Sequence, residues 1–282
     1  MRFLSTALAL LLVLLSLPGA HAATPVPDDE ENPRFLLAGQ ADQAVAEERY
    51  DDAAARLLEA IGICPDCPDN SLLLSNLGMV YAYAGRDSLA LSTLDEALRL
   101  SPALTTARSN RARLLLKMGR DRQAYDDFGI ILSRDSLDCD ARYYHGMLAL
   151  YSGHADIAEA DFTVIRDSLP MSDDTARALS ALYVRTGRES QAIPYLLRLT
   201  ENEPAAEYFA TLAGCYLANG KLSDASETLG KAFAQFPDDP ELYYYRAWLN
   251  RDLFRTAEAH RDARQAVSLG FPKAKADALF KR

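Results

Sequence analysis

The sequence predicts an all-α fold in which pairs of helices stack one after another. Three observations predict it: a segment of about 34 residues recurs seven times, its position 20 is always alanine, and its position 15 is glycine in most copies. We number the copies repeats one to seven. They can be placed to begin near Arg34, Ser71, Thr105, Cys139, Asp173, Ala206 and Pro240, at intervals of 37, 34, 34, 34, 33 and 34 residues.

Small residues and helix breakers recur at fixed positions of the repeat. Position 20 is Ala53, Ala90, Ala124, Ala158, Ala192, Ala225 and Ala259, and position 8 is Ala41, Gly78, Ala112, Gly146, Ser180, Ala213 and Ala247. Position 15 of repeats two to six is Gly85, Gly119, Gly153, Gly187 and Gly220, and position 32 of five repeats is Pro65, Pro102, Pro170, Pro204 and Pro237. Glycine adopts the left-handed conformation that ends a helix, and proline stops the second helix.

Repeat two resembles the tetratricopeptide repeat, a helix–turn–helix unit, at positions 4, 7, 8, 11, 15, 20, 24, 27 and 32: Leu74, Leu77, Gly78, Tyr81, Gly85, Ala90, Leu94, Ala97 and Pro102. The resemblance covers roughly residues 34–271. It implies a right-handed α-solenoid of about seven helix–turn–helix repeats, closed by a C-terminal capping helix over residues 272–282.

Several positions depart from this pattern. Position 7, usually large and apolar, is Gln40, Arg111, His145 and Arg246 in repeats one, three, four and seven, and position 4 is Arg108 and Arg142 in repeats three and four. Either these arginines run their methylenes along the core and expose the charge, or the middle repeats pack loosely.

The first 22 residues have the features of a secretory signal peptide. An uncharged, leucine-rich run over residues 3–20 follows Arg2, contains the helix-breaking pair Pro18-Gly19, and ends in a small-x-small motif that predicts cleavage after Ala22. An uncleaved membrane anchor is the alternative, against which the helix breaker argues. Repeats of this family on an exported chain are typical of bacterial envelopes, so we expect a periplasmic or secreted protein. Residues 23–33 predict a flexible acidic lead-in.

The composition limits the classes of partner. The chain carries 40 acidic and 30 basic residues, a formal net charge of −10. A chain this acidic has little long-range attraction for nucleic acid or for anionic membranes. We therefore expect no nucleic-acid partner and no membrane insertion after signal cleavage, while self-association stays open.

Cys64 and Cys67 form a Cys-Pro-Asp-Cys motif where the second helix of repeat one is expected to end. One interpretation is a thiol–disulfide exchange site, but such sites place the first cysteine at a helix N-terminus, and a helix C-terminus disfavours the thiolate. We favour a local structural disulfide or free thiols. Cys139 and Cys215 are expected to be inert.

No phosphate-binding loop, zinc-protease helix or calcium loop is present in the sequence, and the histidines lack metal-ligand spacing. The sequence therefore predicts a protein that is not an enzyme and that needs no metal or cofactor.

The resemblance implies that the first helices line a concave groove, into which positions 2, 5, 9 and 13 point. The candidate groove residues, including neighbouring position 6, are Asn76, Met79, Tyr83, Asn110, Arg113, Lys117, Tyr143, Tyr144, Met147, Tyr151, Arg177, Arg185, Tyr244 and Trp248. Cations flanking tyrosines predict an extended segment with acidic and apolar or aromatic side chains. Alternatively, the tyrosines pack against adjoining helices while the arginines pair with Asp140 and Asp174.

These features predict a non-catalytic interaction scaffold or adaptor of the bacterial periplasm or envelope, which binds a protein or peptide segment. A glycan- or peptidoglycan-binding solenoid, with tyrosine and tryptophan rings stacked on sugars, is the alternative. A thiol–disulfide protein that uses the Cys-Pro-Asp-Cys motif is a third interpretation.

Overall fold

The computed structural model describes residues 32–281, which contain fifteen α-helices and no β-strand. The fold is all-α, as the sequence predicts. The helices are α1 (Pro33–Ala46), α2 (Tyr50–Ile63), α3 (Asn70–Tyr83), α4 (Asp87–Leu100), α5 (Thr105–Lys117), α6 (Asp121–Arg134), α7 (Cys139–Tyr151), α8 (Ala155–Ser168), α9 (Asp173–Arg185), α10 (Glu189–Asn202), α11 (Ala206–Ala218), α12 (Leu222–Gln235), α13 (Pro240–Asp252), α14 (Thr256–Ser268) and α15 (Lys273–Ala278).

The N-terminal features lie mostly outside the described residues. The predicted signal peptide and residues 23–31 of the predicted lead-in are among them. Within that lead-in, however, Pro33 is the first residue of α1, and the Asn32 side chain accepts a hydrogen bond from the Arg34 amide to cap the helix. None of the helices in 32–281 has the length and apolarity needed to cross a bilayer.

The chain forms two compact units, residues 1–66 and residues 67–282. In the first, α1 packs against α2. In the second, each first helix packs against the second helix of its own repeat, and the first helices from α5 onwards also pack against the second helix of the preceding repeat. First helices also contact one another, α3 with α5, α7 with α9, and α11 with α13. We call the surface formed by α3, α5, α7, α9, α11 and α13 the first-helix face.

Small residues allow the two helices of a repeat to approach closely. All seven alanines at position 20 are completely buried. At position 8, a Cβ added to Gly146 would lie 2.6 Å from Cε1 of Phe162, and one added to Gly78 would lie 2.7 Å from Cγ of Leu94. These distances are shorter than van der Waals contact, so a large side chain from the second helix fills the space above each glycine.

The turn between the two helices uses the left-handed conformation in every repeat. Position 15 of repeats two to six has φ between 68° and 88°, as its glycine predicts, and the outer repeats adopt φ 58° at Glu48 and φ 60° at Phe254. A residue with a side chain pays roughly 1–2 kcal/mol for this conformation. Phe254 offsets none of this by packing, because its side chain is 92% exposed.

The unusual arginines of repeat three are held in a buried ionic cluster. Arg108 Nη1 lies 3.0 Å from Asp127 Oδ1, and Arg111 Nε and Nη2 lie 2.8 and 2.7 Å from the two Asp127 carboxylate oxygens. Asp127 is 3% exposed and Arg108 is 8% exposed. Both expectations for these arginines were therefore wrong for Arg108, whose charge is buried and paired inside the repeat.

The same arrangement recurs in repeats four and seven. Arg142 Nη1 and His145 Nδ1 lie 2.7 and 2.6 Å from the Asp161 oxygens, and Arg246 forms two hydrogen bonds with Asp262 at 3.0 and 2.8 Å. Both aspartates are buried. All three acceptors occupy position 23 of their repeats. They lie opposite basic residues at positions 4 and 7 in repeats three and four, and at position 7 in repeat seven.

Repeats with apolar residues at positions 4 and 7 lack an acid at position 23. In repeat two, Leu74 and Leu77 accompany Thr93, and repeats five and six have Tyr195 and Thr228 at position 23. The core of unit two is therefore built in two ways, one ionic and one largely apolar.

Candidate binding groove

The fourteen candidate groove residues all lie on the first-helix face. Asn76, Met79 and Tyr83 are on α3; Asn110, Arg113 and Lys117 on α5; Tyr143, Tyr144, Met147 and Tyr151 on α7; Arg177 and Arg185 on α9; Tyr244 and Trp248 on α13. Tyr83, Lys117, Tyr151 and Arg185 are the last residues of four successive first helices. A cation at a helix C-terminus interacts favourably with the helix dipole, which suits Lys117 and Arg185.

Tyr151 and Arg185, the last two residues of this row, form an exposed pair. The Arg185 guanidinium carbon lies 5.4 Å from the centre of the Tyr151 ring, within cation–π distance. Tyr151 is 57% exposed, and Arg185 is exposed as well. Arg185 makes no hydrogen bond or ion pair with any residue that the structure describes. Its five donors are available to an acceptor from another molecule.

The three other central cations already have carboxylate partners. Arg113 Nη2 lies 2.8 Å from Asp140 Oδ2, and Lys117 Nζ lies 2.6 Å from Asp87 Oδ1. Arg177 bonds to Asp174 and to Glu203, and it also donates from Nε to the Tyr208 hydroxyl at 2.8 Å.

Arg113 retains an unused donor. Its guanidinium lies 5.3 Å from the centre of the Tyr144 ring, and its Nε is buried without an acceptor among residues 32–281. A buried donor left without an acceptor costs about 1–3 kcal/mol. The pairing with Asp140 therefore satisfies Arg113 incompletely.

Two of the central tyrosines are partly enclosed by neighbouring side chains. Tyr144 stacks on Phe128 with ring centres 5.2 Å apart, and Tyr143 meets Tyr144 edge-on at 5.3 Å. Burial, reinforced by the Asp174 carboxylate, raises the pKa of Tyr143. Tyr143 and Tyr144 therefore pack against neighbouring side chains, as the alternative interpretation of these tyrosines expected, whereas Tyr151 is exposed.

The remaining candidates on α3, α5 and α7 include smaller polar and sulfur-containing residues. Asn110 Nδ2 donates to Ser75 Oγ at 3.1 Å, which joins α5 to α3. Asn76 and Met79 are half-buried, and Met147 packs against the core of unit two.

The C-terminal part of the first-helix face is filled by the chain's own aromatic rings. The Tyr245 ring occupies the space over Gly214, where an added Cβ would lie 2.6 Å from Tyr245 Cε1, and burial raises the pKa of Tyr245 to about 12. Tyr244 stacks on Phe271 at 4.5 Å, and Trp248 Nε1 donates to Asp252 Oδ2 at 2.8 Å. The predicted groove residues therefore fall into two groups. Those on α3, α5, α7 and α9 include the exposed Tyr151 and Arg185, whereas those on α13 pack among the chain's own aromatic rings.

The four cysteines comprise one disulfide pair and two free thiols. Cys64 and Cys67 are disulfide-bonded, while Cys139 and Cys215 are free. Burial raises the pKa of the Cys215 thiol to about 11, which makes its thiolate scarce near neutral pH. Within residues 32–281, no three His, Cys, Asp or Glu side chains are grouped so that they could hold a metal ion.

Sequence reasoning missed the buried aspartates Asp127, Asp161 and Asp262. The signal was available, because position 23 is acidic only in repeats whose positions 4 or 7 are basic. Aligning position 23 across the seven repeats would have predicted these pairs.

The family profile of the tetratricopeptide repeat matches residues 39–105 and 211–270, at both ends of the repeated region. Both segments are therefore tetratricopeptide repeats. No curated protein sequence matches it significantly.

Several solved structures share its fold, and two of the three described here are tetratricopeptide repeat proteins. One from Parabacteroides merdae is 23% identical with a TM-score of 0.62, and the match covers 88% of this chain and 97% of that one. YrrB, described as having an unusual peptide-binding site, is 20% identical with a TM-score of 0.57, covering 66% of this chain and 96% of that one. PilW, a type IV pilus biogenesis factor, is 19% identical with a TM-score of 0.61, covering 74% and 96% respectively.

The tetratricopeptide repeats of this chain make a protein–protein interaction scaffold the supported class of function. Proteins of this repeat family are generally not catalysts.

Proposed function

We propose that this protein is an exported interaction scaffold of the bacterial periplasm or envelope, which binds an extended segment of a partner protein on its first-helix face. The observation that carries the proposal is the exposed Tyr151–Arg185 pair. An arginine over an exposed aromatic ring, with no carboxylate of its own, is a typical anchor of protein interfaces.

The chemistry of the pair defines the segment that it would bind. The Arg185 guanidinium favours a carboxylate, because a charge-assisted, bidentate hydrogen bond is the strongest contact it can make. The Tyr151 ring favours an apolar or aromatic side chain next to that carboxylate. Tyr83 and Lys117 end the preceding two first helices, so an extended segment crossing the row would meet them next.

Asp140 and Asp87 hold Arg113 and Lys117 in the absence of a partner. An acidic segment would exchange these half-exposed pairs for its own carboxylates. Such surface pairs contribute only about 0–1 kcal/mol each, so the exchange costs little.

Photo-crosslinking in cells tests the groove. A benzoyl-phenylalanine placed at Tyr83, which leaves Tyr151 and Arg185 intact, should form adducts with a defined partner. In the same background, Arg185→Glu should reduce the adducts at least tenfold, since a hydrogen bond to a charged group contributes about 1.5–3 kcal/mol. Lys221→Glu is the matched control: it reverses an exposed, unpaired cation before α12, off the first-helix face. Equal adducts in both variants would contradict the groove.

The glycan alternative has a different signature. Retention of the purified chain on peptidoglycan sacculi, lost in Tyr151→Ala but kept in Arg185→Glu, would favour sugar stacking over carboxylate capture.

The export proposal is tested separately. Expression with the native N-terminus should yield a periplasmic protein whose sequence begins at Ala23. A cytosolic product that retains residues 1–22 would refute it.

A further inference from the structure

The two ends of this acidic chain carry opposite charge. Residues 28–104 contain fifteen acidic and five basic residues, whereas residues 240–282 contain nine basic and five acidic residues. Such a separation favours contacts between unlike ends of different copies and disfavours contacts between like ends.

The basic end contains a cavity of about 300 Å³ between α14 and α15. Its apolar lining includes Ala263, Val267 and Phe280. Its rim carries His260, Arg264, Lys273 and Asp277, and Lys273 Nζ donates to Asp277 Oδ2 at 2.5 Å. Arg264 forms no hydrogen bond or ion pair with any residue of the described chain, and His260 stacks on Phe280 at 4.1 Å. An apolar cavity of roughly 150 Å³ holds a benzene molecule, so this one has room for an aromatic side chain.

The acidic end presents matching groups on α1. Phe35 and Leu36 are 55% and 59% exposed although they are large and apolar. Asp42 follows Phe35 by seven residues, which places both on one side of the helix. Asp42 has no hydrogen bond or ion pair with the described residues, and a Cβ added to Gly39 between them would meet nothing within 4 Å.

We propose that α1 of one copy docks on the cavity between α14 and α15 of a second copy. Phe35 enters the apolar part of the cavity, and Asp42 faces Arg264 and Lys273. The contact joins two different surfaces, so it is heterologous and repeats head to tail. This inference is independent of the segment-binding proposal, because it uses none of the residues Tyr83, Lys117, Tyr151 and Arg185.

Sedimentation velocity on two complementary variants tests the contact. Phe35→Asp blocks the acidic end, and Arg264→Glu/Lys273→Glu blocks the basic end. The wild-type chain should associate beyond a dimer as its concentration rises to about 0.1 mM, which would saturate a contact with a Kd near 1 μM. Each variant alone should associate at least tenfold more weakly.

The decisive sample is an equimolar mixture of the two variants. Each partner keeps one intact end, so the mixture should form a one-to-one complex that does not grow. Raising the salt from about 0.05 M to about 0.5 M should dissociate it, because charge attraction is then screened within a few ångströms. Arg255→Glu/Lys281→Glu makes the same change in charge with exposed residues that do not line the cavity, and it should associate like the wild type.

A wild-type chain that stays monomeric, a mixture that stays monomeric, or a control that loses association as fully as the cavity variant would each overturn the proposal. Far-UV circular dichroism establishes that every variant is folded. Should Arg264→Glu/Lys273→Glu unfold, Arg264→Ser replaces it with the same expected outcome.

Discussion

The buried ionic cluster of repeat three allows a quantitative test of how this core is built. Asp127→Ala removes the acceptor of three hydrogen bonds, from Arg108 Nη1, Arg111 Nε and Arg111 Nη2. Arg108 then keeps only the Pro102 carbonyl at 2.9 Å, while Arg111 keeps the exposed Asp95 at 2.7 Å.

The expected loss of stability follows from the contacts that are lost and those that remain. Removing one partner of a buried ion pair costs about 3–5 kcal/mol, since the remaining charge stays buried. The Arg111 side chain is 23% exposed and keeps Asp95, so we expect the lower end, about 3 kcal/mol. With a urea dependence of about 3 kcal/mol per molar, the unfolding midpoint should fall by about 1 M.

A compensating variant separates charge burial from simple loss of packing. Arg108→Leu/Arg111→Leu/Asp127→Thr installs the residues that repeat two has at these positions. Replacing a buried ionic cluster by apolar residues is often neutral or stabilising, so this variant should unfold at or above the wild-type midpoint.

The measurement is urea unfolding followed by circular dichroism at 222 nm. Asp126→Ala is the control: it removes the neighbouring exposed partner of Arg122 and should change stability by less than about 0.5 kcal/mol. A loss below about 1 kcal/mol for Asp127→Ala, or a triple variant as unstable as the single one, would show that an unpaired buried charge is not what destabilises the single variant.

Three further outcomes follow from individual side chains. Phe254→Gly should stabilise the chain by about 1 kcal/mol in the same urea assay, because it relieves a left-handed conformation without losing buried area, whereas Gly220→Ala at φ 69° should destabilise it. Burial raises the pKa of Tyr245 to about 12, compared with about 10 in the unfolded chain. The stabilising contribution of the neutral Tyr245 side chain is therefore complete below pH 10 and is lost as the pH rises toward 12. Tyr245→Phe should reduce the fall in urea midpoint over that range. Iodoacetamide at pH 8 should alkylate Cys139 in the native protein well before Cys215, which is 2% exposed and whose pKa is raised to about 11; equal rates, measured by mass spectrometry, would contradict this burial.

The helical architecture was predictable from the sequence because it depends on local, periodic features. Invariant alanine at position 20 and small residues at position 8 mark the close approach of two helices, and glycine at position 15 marks the left-handed turn. These requirements repeat in every copy, so seven copies reinforce one another. Glu48 and Phe254 show where local reasoning fails, since the turn forms at both without glycine.

The interior charges were misjudged because their partners lie 16 or 19 residues away on the second helix. Arg108 viewed alone suggests a loosely packed or exposed residue, and only its pairing with Asp127 explains it. Among the candidate groove residues, the sequence did not separate Arg185, which has no hydrogen bond or ion pair within residues 32–281, from Arg177, which three neighbouring side chains engage. That distinction depends on rotamers and on distances between helices.

The presence of ionic cores in some repeats and apolar cores in others also affects how the chain folds. Seven similar helix pairs invite exchange, in which a first helix docks on the second helix of the wrong copy. If α5 took the place of α3 against α4, Arg108 and Arg111 would face Thr93 instead of an aspartate. If α3 took the place of α5 against α6, Asp127 would be buried beneath leucines. Either error strands a charge away from water at a cost of several kcal/mol. The buried aspartates therefore favour packing of each arginine-bearing first helix on the second helix of its own repeat.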